Sequence, residues 1–296
     1  MNEFPLRIGT RDLTLIEGPA GWGEYSPLPG YPCDPAAARR AAEEAAELGF
    51  PPTVRRAVPV NALVEWDTPL DRALSERLEQ FSAVKVKVGR APIDVDLHRV
   101  ATIRSFVGPS VALRIDANGA WDLWTAVDFL ERARRYDLEF AEQPVASIED
   151  MATLRRKVAV PIAADECVVS VADVERLRFA SAADVLVLKV QPVGGVRAAL
   201  ALAQAAGIPV AVSSMMETSI GVSAGLALAA ALDALPFACG LATLDESTPD
   251  VVQPPLRPRN GVLEVPPVWP VPDPALLGRY ASSRAGSGTS ARNVAR

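Results

Sequence analysis

Val84-Lys85-Val86-Lys87-Val88 is a run in which two lysines alternate with three valines. The period of two in a β-strand sends both lysines to one face and the valines to the other. If the valines pack on helices, the lysines point into an interior where lysine rarely stands without a partner. A solvated lysine stripe on an edge strand is the other way such a run arises. Its surroundings bear on the choice. From residue 58 onward eight short β-rich runs alternate with helical segments: 58–64, 83–88, 111–116, 138–142, 161–165, 184–189, 209–213 and 237–241. That rhythm predicts a parallel sheet with crossover helices, and eight strands can close a barrel. An open doubly wound sheet alternates in the same way, but no GxGxxG or GxxxxGK[ST] follows an early strand here.

The ionisable residues cluster at the ends of these runs. Lys87, Asp116, Glu142, Asp165 and Lys189 each fall at or next to a C-terminal strand end, with Lys85 slightly further inside. In a barrel those ends converge on the face that carries catalysis. Asp116, Glu142, Asp165 and Lys189 follow one another at intervals of 26, 23 and 24 residues, about one βα unit each. Three carboxylates aimed at one mouth repel unless a cation neutralises them, and an all-oxygen set suits a hard ion such as Mg²⁺, with Mn²⁺ as a second candidate. Acidic residues also cap the helices that follow strands, which is the simpler explanation for any one of them taken singly. A lysine desolvated beside the cation is expected to have a lowered pKa and to serve as a base.

Composition narrows the classes. Of 296 residues 49% are hydrophobic and 22% charged, as in a protein able to bury a large core. Thirty Lys and Arg against 36 Asp and Glu leave a net charge of −6, with no overall field to attract nucleic acid or an anionic membrane. Cys33, Cys167 and Cys239 lie far apart, and an odd number cannot all pair within one chain, so a reducing cytoplasm is expected. The first nine residues lack the basic start and apolar run of a signal peptide. The apolar stretch at 220–235 is too short and mild to span a bilayer and reads as a buried barrel helix.

Outside the barrel rhythm, Asp34 and Pro35 are set to cap and start an Ala/Glu-rich helix over 35–48. Residues 1–57 are assigned to a small capping unit completed by about 251–281, with the catalytic barrel at 58–250. The Ser/Gly/Arg/Ala segment 282–296 is expected to be a mobile tail. The lone histidine, His98, sits in a charged helical segment and is expected at the surface, which argues against a Ser/His/Asp hydrolase.

Five motifs in order resemble the enolase superfamily: Lys85-Val86-Lys87, Asp116-Ala117-Asn118, Glu142-Gln143-Pro144, Asp165-Glu166 and Lys189-Val190-Gln191-Pro192. The combination is similar to the muconate-lactonizing subgroup, with lysines on the second and sixth barrel strands. Within it, Gly21-Trp22-Gly23-Glu24 with Ser26 to Tyr31, and Ser213 to Gly221, resemble the covering loop and seventh strand of the o-succinylbenzoate synthase family. Trp22 and Tyr31 could equally be aromatics packed at a turn.

The resemblance implies a (β/α)7β TIM-like barrel with a small α+β capping domain. It implies Lys87 and Lys189 as catalytic residues, Asp116, Glu142 and Asp165 as metal ligands, and Lys85, Arg114, Asn118 and Glu166 in support. Trp22, Tyr31, Ser213, Ser214, Met216, Gly240 and Leu241 would bind a small carboxylate substrate. The implied reaction removes a proton α to a carboxylate and eliminates water, in menaquinone biosynthesis. An N-acylamino acid racemase, a dipeptide epimerase or a cycloisomerase could use the same lysine pair, and a non-catalytic binding barrel is the alternative from another class. The oligomeric state is left open, a monomer being compatible with everything above.

Overall fold

A computed structural model describes residues 1–245 and 247–282; the expected tail therefore lies, apart from Ser282, outside the described residues. The chain opens with an antiparallel meander of β1 (Asn2–Ile8), β2 (Arg11–Gly18) and β3 (Gly21–Tyr25). α1 (Pro35–Leu48) lies across it, starting where expected: Asp34 accepts the Ala36 N–H at 3.0 Å and Pro35 takes the first turn. The buried face of α1 is all alanine, from Ala37 to Ala46. Such small side chains let the helix approach the sheet closely. A Cβ on Gly23 would sit only 1.9 Å from the Ala42 carbonyl oxygen.

The barrel follows as β4 (Ala57–Pro59), β5 (Ala62–Val64), α2 (Arg72–Leu78), β6 (Ala83–Lys87), α3 (Ile93–Val107), β7 (Ala112–Asp116), α4 (Leu123–Ala133), β8 (Leu138–Glu142), α5 (Ile148–Arg155), β9 (Ile162–Ala164), α6 (Val171–Ala180), β10 (Val185–Leu188), α7 (Val190–Val193), α8 (Val196–Ala206), β11 (Val210–Val212) and α9 (Ser219–Ala231). β12 (Val262–Glu264) and α10 (Pro274–Tyr280) complete the described chain. Strands β5 to β11 form one parallel sheet in sequence order.

Two of the eight expected strands take a different form. The run 58–64 is divided: β4 pairs antiparallel with β12, and only β5 joins the parallel sheet. Pro59 has no N–H to donate to a ladder, which favours a break there. The run 237–241 forms no extended strand, yet it joins the two ends of the sheet through parallel bridges, Val60 with Cys239 and Ser213 with Gly240. Cys239 N–H donates to Pro59 O at 2.8 Å and Gly240 N–H to Val212 O at 2.8 Å, so this short segment closes the ring.

Alternation along the strands sorts the side chains. Val84, Val86, Val88, Leu113 and Ile115 face the helices in the main core. Phe140, Ala163, Val185, Val187 and Ala211 fill the barrel interior as a separate apolar cluster. Above that plug, the next inward positions are Asp116, Glu142, Asp165 and Lys189. α9 is buried almost throughout, as the 220–235 stretch predicts, and packs against both the barrel and β3. No described helix is long and apolar enough to cross a membrane.

Candidate active site

β6 carries Lys85 and Lys87 inward, and its register sets Lys87 beside Asp116 on β7, which in turn stands beside Glu142 on β8. Lys85 Nζ bridges the two acids, donating to Asp116 Oδ2 at 3.1 Å and Glu142 Oε1 at 2.9 Å. Lys87 Nζ donates to Asp116 Oδ2 and to Asn118 Oδ1, both at 2.7 Å. Asn118 passes the chain on, donating to Glu166 Oε1 at 2.7 Å. Across the ring, just past β10, Lys189 Nζ forms an ion pair with Asp165 Oδ2 and donates to the Tyr31 hydroxyl at 3.3 Å. Tyr31 donates to Asp165 Oδ1 at 2.8 Å, and its ring lies 4.4 Å below the Lys189 ammonium.

Asp116, Glu142 and Asp165 are each at most 2% exposed. Their charges are therefore set by one another and by the lysines. Burial opposes the Asp116 charge, but Lys85 and Lys87 outweigh it and hold the carboxyl below its usual range. Burial, followed by the neighbouring Asp116 charge, pushes Glu142 up to about 8. Burial and Asp165 push Glu166 up to about 7. At Lys85 and Lys189 the surrounding carboxylates outweigh desolvation. Burial does disfavour the Lys85 and Lys189 ammoniums, but Glu142 and Asp116 around the first, and Asp165 and Glu166 around the second, raise both above the ordinary value.

The donor set suits a hard cation by chemistry: three buried carboxylates from consecutive strand ends, one of them, Glu142, driven toward protonation by burial and by its acidic neighbours. In the arrangement described, lysine ammoniums bridge the acids instead. Among the described residues no three Asp, Glu, His or Cys side chains are drawn together tightly enough to hold an ion as placed.

These groups open into a cavity of about 720 Å³ lined by Tyr31, Ser213, Ser214, Met216 and Gly240, among the residues considered for the substrate, and by Lys85, Lys87, Asn118, Glu166 and Lys189. Its roof is the loop after β3, from Leu28 to Pro32. Two of the residues expected to bind substrate, Trp22 and Leu241, lie elsewhere. Trp22 shares the β3 face that meets α9, packs on Phe4 with centroids 5.1 Å apart, and lines a separate smaller cavity. Leu241 turns outward into the main core, one residue past the inward Gly240. Arg114 lies one layer below Asp116, held by Glu139 at 2.5 Å and the Ala238 carbonyl at 2.7 Å, with Phe140 and Phe237 around it. It supports the floor and does not line the cavity. His98 is exposed, as expected.

Other site residues escaped the sequence reading. Gln143, with φ of 38°, turns its amide oxygen to the Asp165 N–H at 2.8 Å and so ties the end of β8 to the next metal-ligand candidate. Trp66 lines the cavity just past β5, with the Arg90 guanidinium 3.5 Å and the Lys87 ammonium 5.3 Å from its ring. Its place at the end of the first barrel strand was the available clue. Ser214 Oγ and Thr243 Oγ1 are buried in the cavity wall without a hydrogen-bond partner among the described residues.

Comparison with known proteins agrees with this layout. A family model described as enolase C-terminal domain-like matches residues 70–269, and one described as enolase N-terminal domain-like matches residues 6–46. The o-succinylbenzoate synthase of Thermobifida fusca (strain YX) is 50% identical over 271 residues, 88% of this chain and 85% of the relative. The chain belongs to the enolase superfamily, within its o-succinylbenzoate synthase family. The o-succinylbenzoate synthase of Mycobacterium marinum (strain ATCC BAA-535 / M) is 42% identical over 91% of this chain and 82% of its own length. The superfamily barrel is seen again in the crystal structure of muconate cycloisomerase from Pseudomonas fluorescens, with a TM-score of 0.83 at 24% identity, covering 95% of this chain and 97% of that one. At that identity the likeness concerns the fold alone. Enzymes of the superfamily depend on a divalent metal and act on small molecules.

Proposed function

We propose that this chain is an o-succinylbenzoate synthase, a hydro-lyase that removes a proton α to a carboxylate and expels a β-hydroxyl as water. The observation that carries the reading is the pair of lysines from β6 and the end of β10, on opposite sides of a ring whose intervening strands supply Asp116, Glu142 and Asp165. Those three carboxylates would hold Mg²⁺ or Mn²⁺, which when bound supplies positive charge to the substrate carboxylate and to the charge that develops on it. Lys87 takes the α-proton. Its contacts with Asp116 and Asn118 aim the nitrogen and must loosen as it acts as a base. Lys189, whose ammonium is favoured by Asp165 and Glu166, stays charged and faces the intermediate from the other side. The proton held by Lys87 is then available to the departing hydroxyl, so the elimination balances as loss of one water.

A lysine pair could also racemise a substrate, one lysine serving each face. The synthase reading is favoured because relatives bearing that name match at 42–50% identity over most of the chain. The capping unit at 1–57, completed by about 251–281, and the barrel at 58–250 are proposed as the working division, in a cytoplasmic enzyme for which a monomer suffices. The test is incubation with the cyclohexadiene precursor of o-succinylbenzoate, with Mg²⁺ and with excess chelator. Aromatic product should form with the metal and cease with the chelator. Intact precursor in the presence of Mg²⁺ would overturn the assignment.

A further inference from the structure

A belt of buried polar side chains joins β3 to the loop after β11 and the start of α9. Glu24, 4% exposed, is ringed by donors: its Oε1 accepts from Ser26 Oγ at 2.6 Å, and its Oε2 from Thr218 Oγ1 at 2.5 Å, Thr218 N at 3.1 Å and Gly221 N at 2.9 Å. The amides of Thr218 and Gly221 belong to the start of α9, whose first N–H groups have no intrahelical partner. Asp250 takes the Ser219 amide at 3.0 Å, so the helix start is shared between Glu24 and Asp250. Gly221 makes the seat possible, since a Cβ there would press on Glu217 and meet Glu24 Oε2 at 3.0 Å.

The belt continues to the catalytic strands. Gln191, two residues after Lys189, accepts from Ser26 N at 2.9 Å and donates to Glu217 Oε1 at 3.0 Å. Glu217 in turn accepts from Met215 N at 2.6 Å. Arg11 on β2 donates to the carbonyls of Met216 and Ser26. Met216 has a φ of 61°, so this loop is held in a conformation that a non-glycine residue seldom adopts unaided. Ser213 to Met216 form part of the cavity wall.

We propose that Glu24 is a positioning residue for substrate: by seating on the start of α9 through Thr218 and Gly221 and holding Ser26, which in turn bonds Gln191, it keeps the 213–216 wall and the covering loop in their binding geometry. The proposal rests on reading this cavity as the substrate site. Glu24 accepts the bonds from Ser26, Thr218 and Gly221 through its two oxygens, so a glutamine of the same shape would turn an NH₂ group toward some of these donors.

Glu24→Gln is therefore expected to raise KM for the cyclohexadiene precursor about tenfold while kcat stays within about threefold. Thr218→Ser, which keeps the hydroxyl and the amide, should stay near wild type; Thr218→Val should move KM in the same direction as Glu24→Gln and serves if that variant fails to fold. Hydrogen–deuterium exchange at residues 213–222 should rise in Glu24→Gln and Thr218→Val without any substrate present, which keeps this test separate from that of the activity. Unchanged KM in a folded variant, equal loss in Thr218→Ser and Thr218→Val, or unchanged exchange would overturn the proposal.

Discussion

Lys87 and Lys189 hold their places for different reasons, and substitutions should separate them. Lys87 contacts Asp116 and Asn118 and stands beside the Trp66 ring, so Lys87→Ala removes the proposed base and leaves Asp116 and Glu142 bridged by Lys85. Turnover is expected to fall by roughly 10²–10⁴-fold or more, read as kcat with the precursor and as loss of α-proton exchange with solvent. Lys189→Ala leaves Asp165 without its ion-pair partner, so it should lower kcat and also alter metal affinity. At this scale the sequence was informative wherever a strand end set the direction of a side chain: alternation alone places Lys85 with Lys87, and Arg114 below Asp116. It misled for Trp22 and Leu241, because which face of β3 meets α9, and that residue 240 rather than 241 faces the mouth, depend on packing partners far away in sequence.

Among the elements, α1 was legible to the residue because its signals are local: Asp34, Pro35 and an alanine face. The first and eighth barrel strands were not, since Pro59 divides one and the other is held by bridges to strands nearly two hundred residues away or just before it. The contact of α1 with β3 gives a sharp expectation. Gly23→Ala places a methyl group against the Ala42 backbone, which cannot yield as a side chain can, and should cost about 1–3 kcal/mol or more, measured by denaturant unfolding. At the other end, Asp250→Ala removes an acceptor from the start of α9 and should cost about 0.5–2 kcal/mol in the same measurement. Stability unchanged in both would show that neither contact contributes as described.

Across the whole molecule, the buried Glu24 and Glu142 and the half-buried Glu166 shape the pH response. Glu24 and Glu166 are pushed up to about 7 and Glu142 to about 8, from an ordinary value of 4.5. Each binds its proton more tightly in the folded state than in the unfolded chain, so their contribution is most favourable on the acid side and declines as pH rises from the unfolded value toward 8. Asp116, held low by the lysines, acts in the opposite sense and loses its contribution only in strong acid. Without added metal the melting temperature should therefore fall between about pH 6 and about pH 8.5, and Mg²⁺ should narrow the fall by replacing the proton on Glu142 with a cation. A melting temperature that rises over that interval, or is indifferent to Mg²⁺, would contradict this charge balance. Abstraction of the α-proton by Lys87, opposite Lys189 at a metal-dependent site, is the step on which the proposed reaction turns. Its most direct measurement is single-turnover conversion of the precursor deuterated at the α-carbon, with Mg²⁺, by the native enzyme and by Lys87→Ala. The account predicts a primary isotope effect in the first and no aromatic product from the second; product formed at an undiminished rate by Lys87→Ala would contradict it.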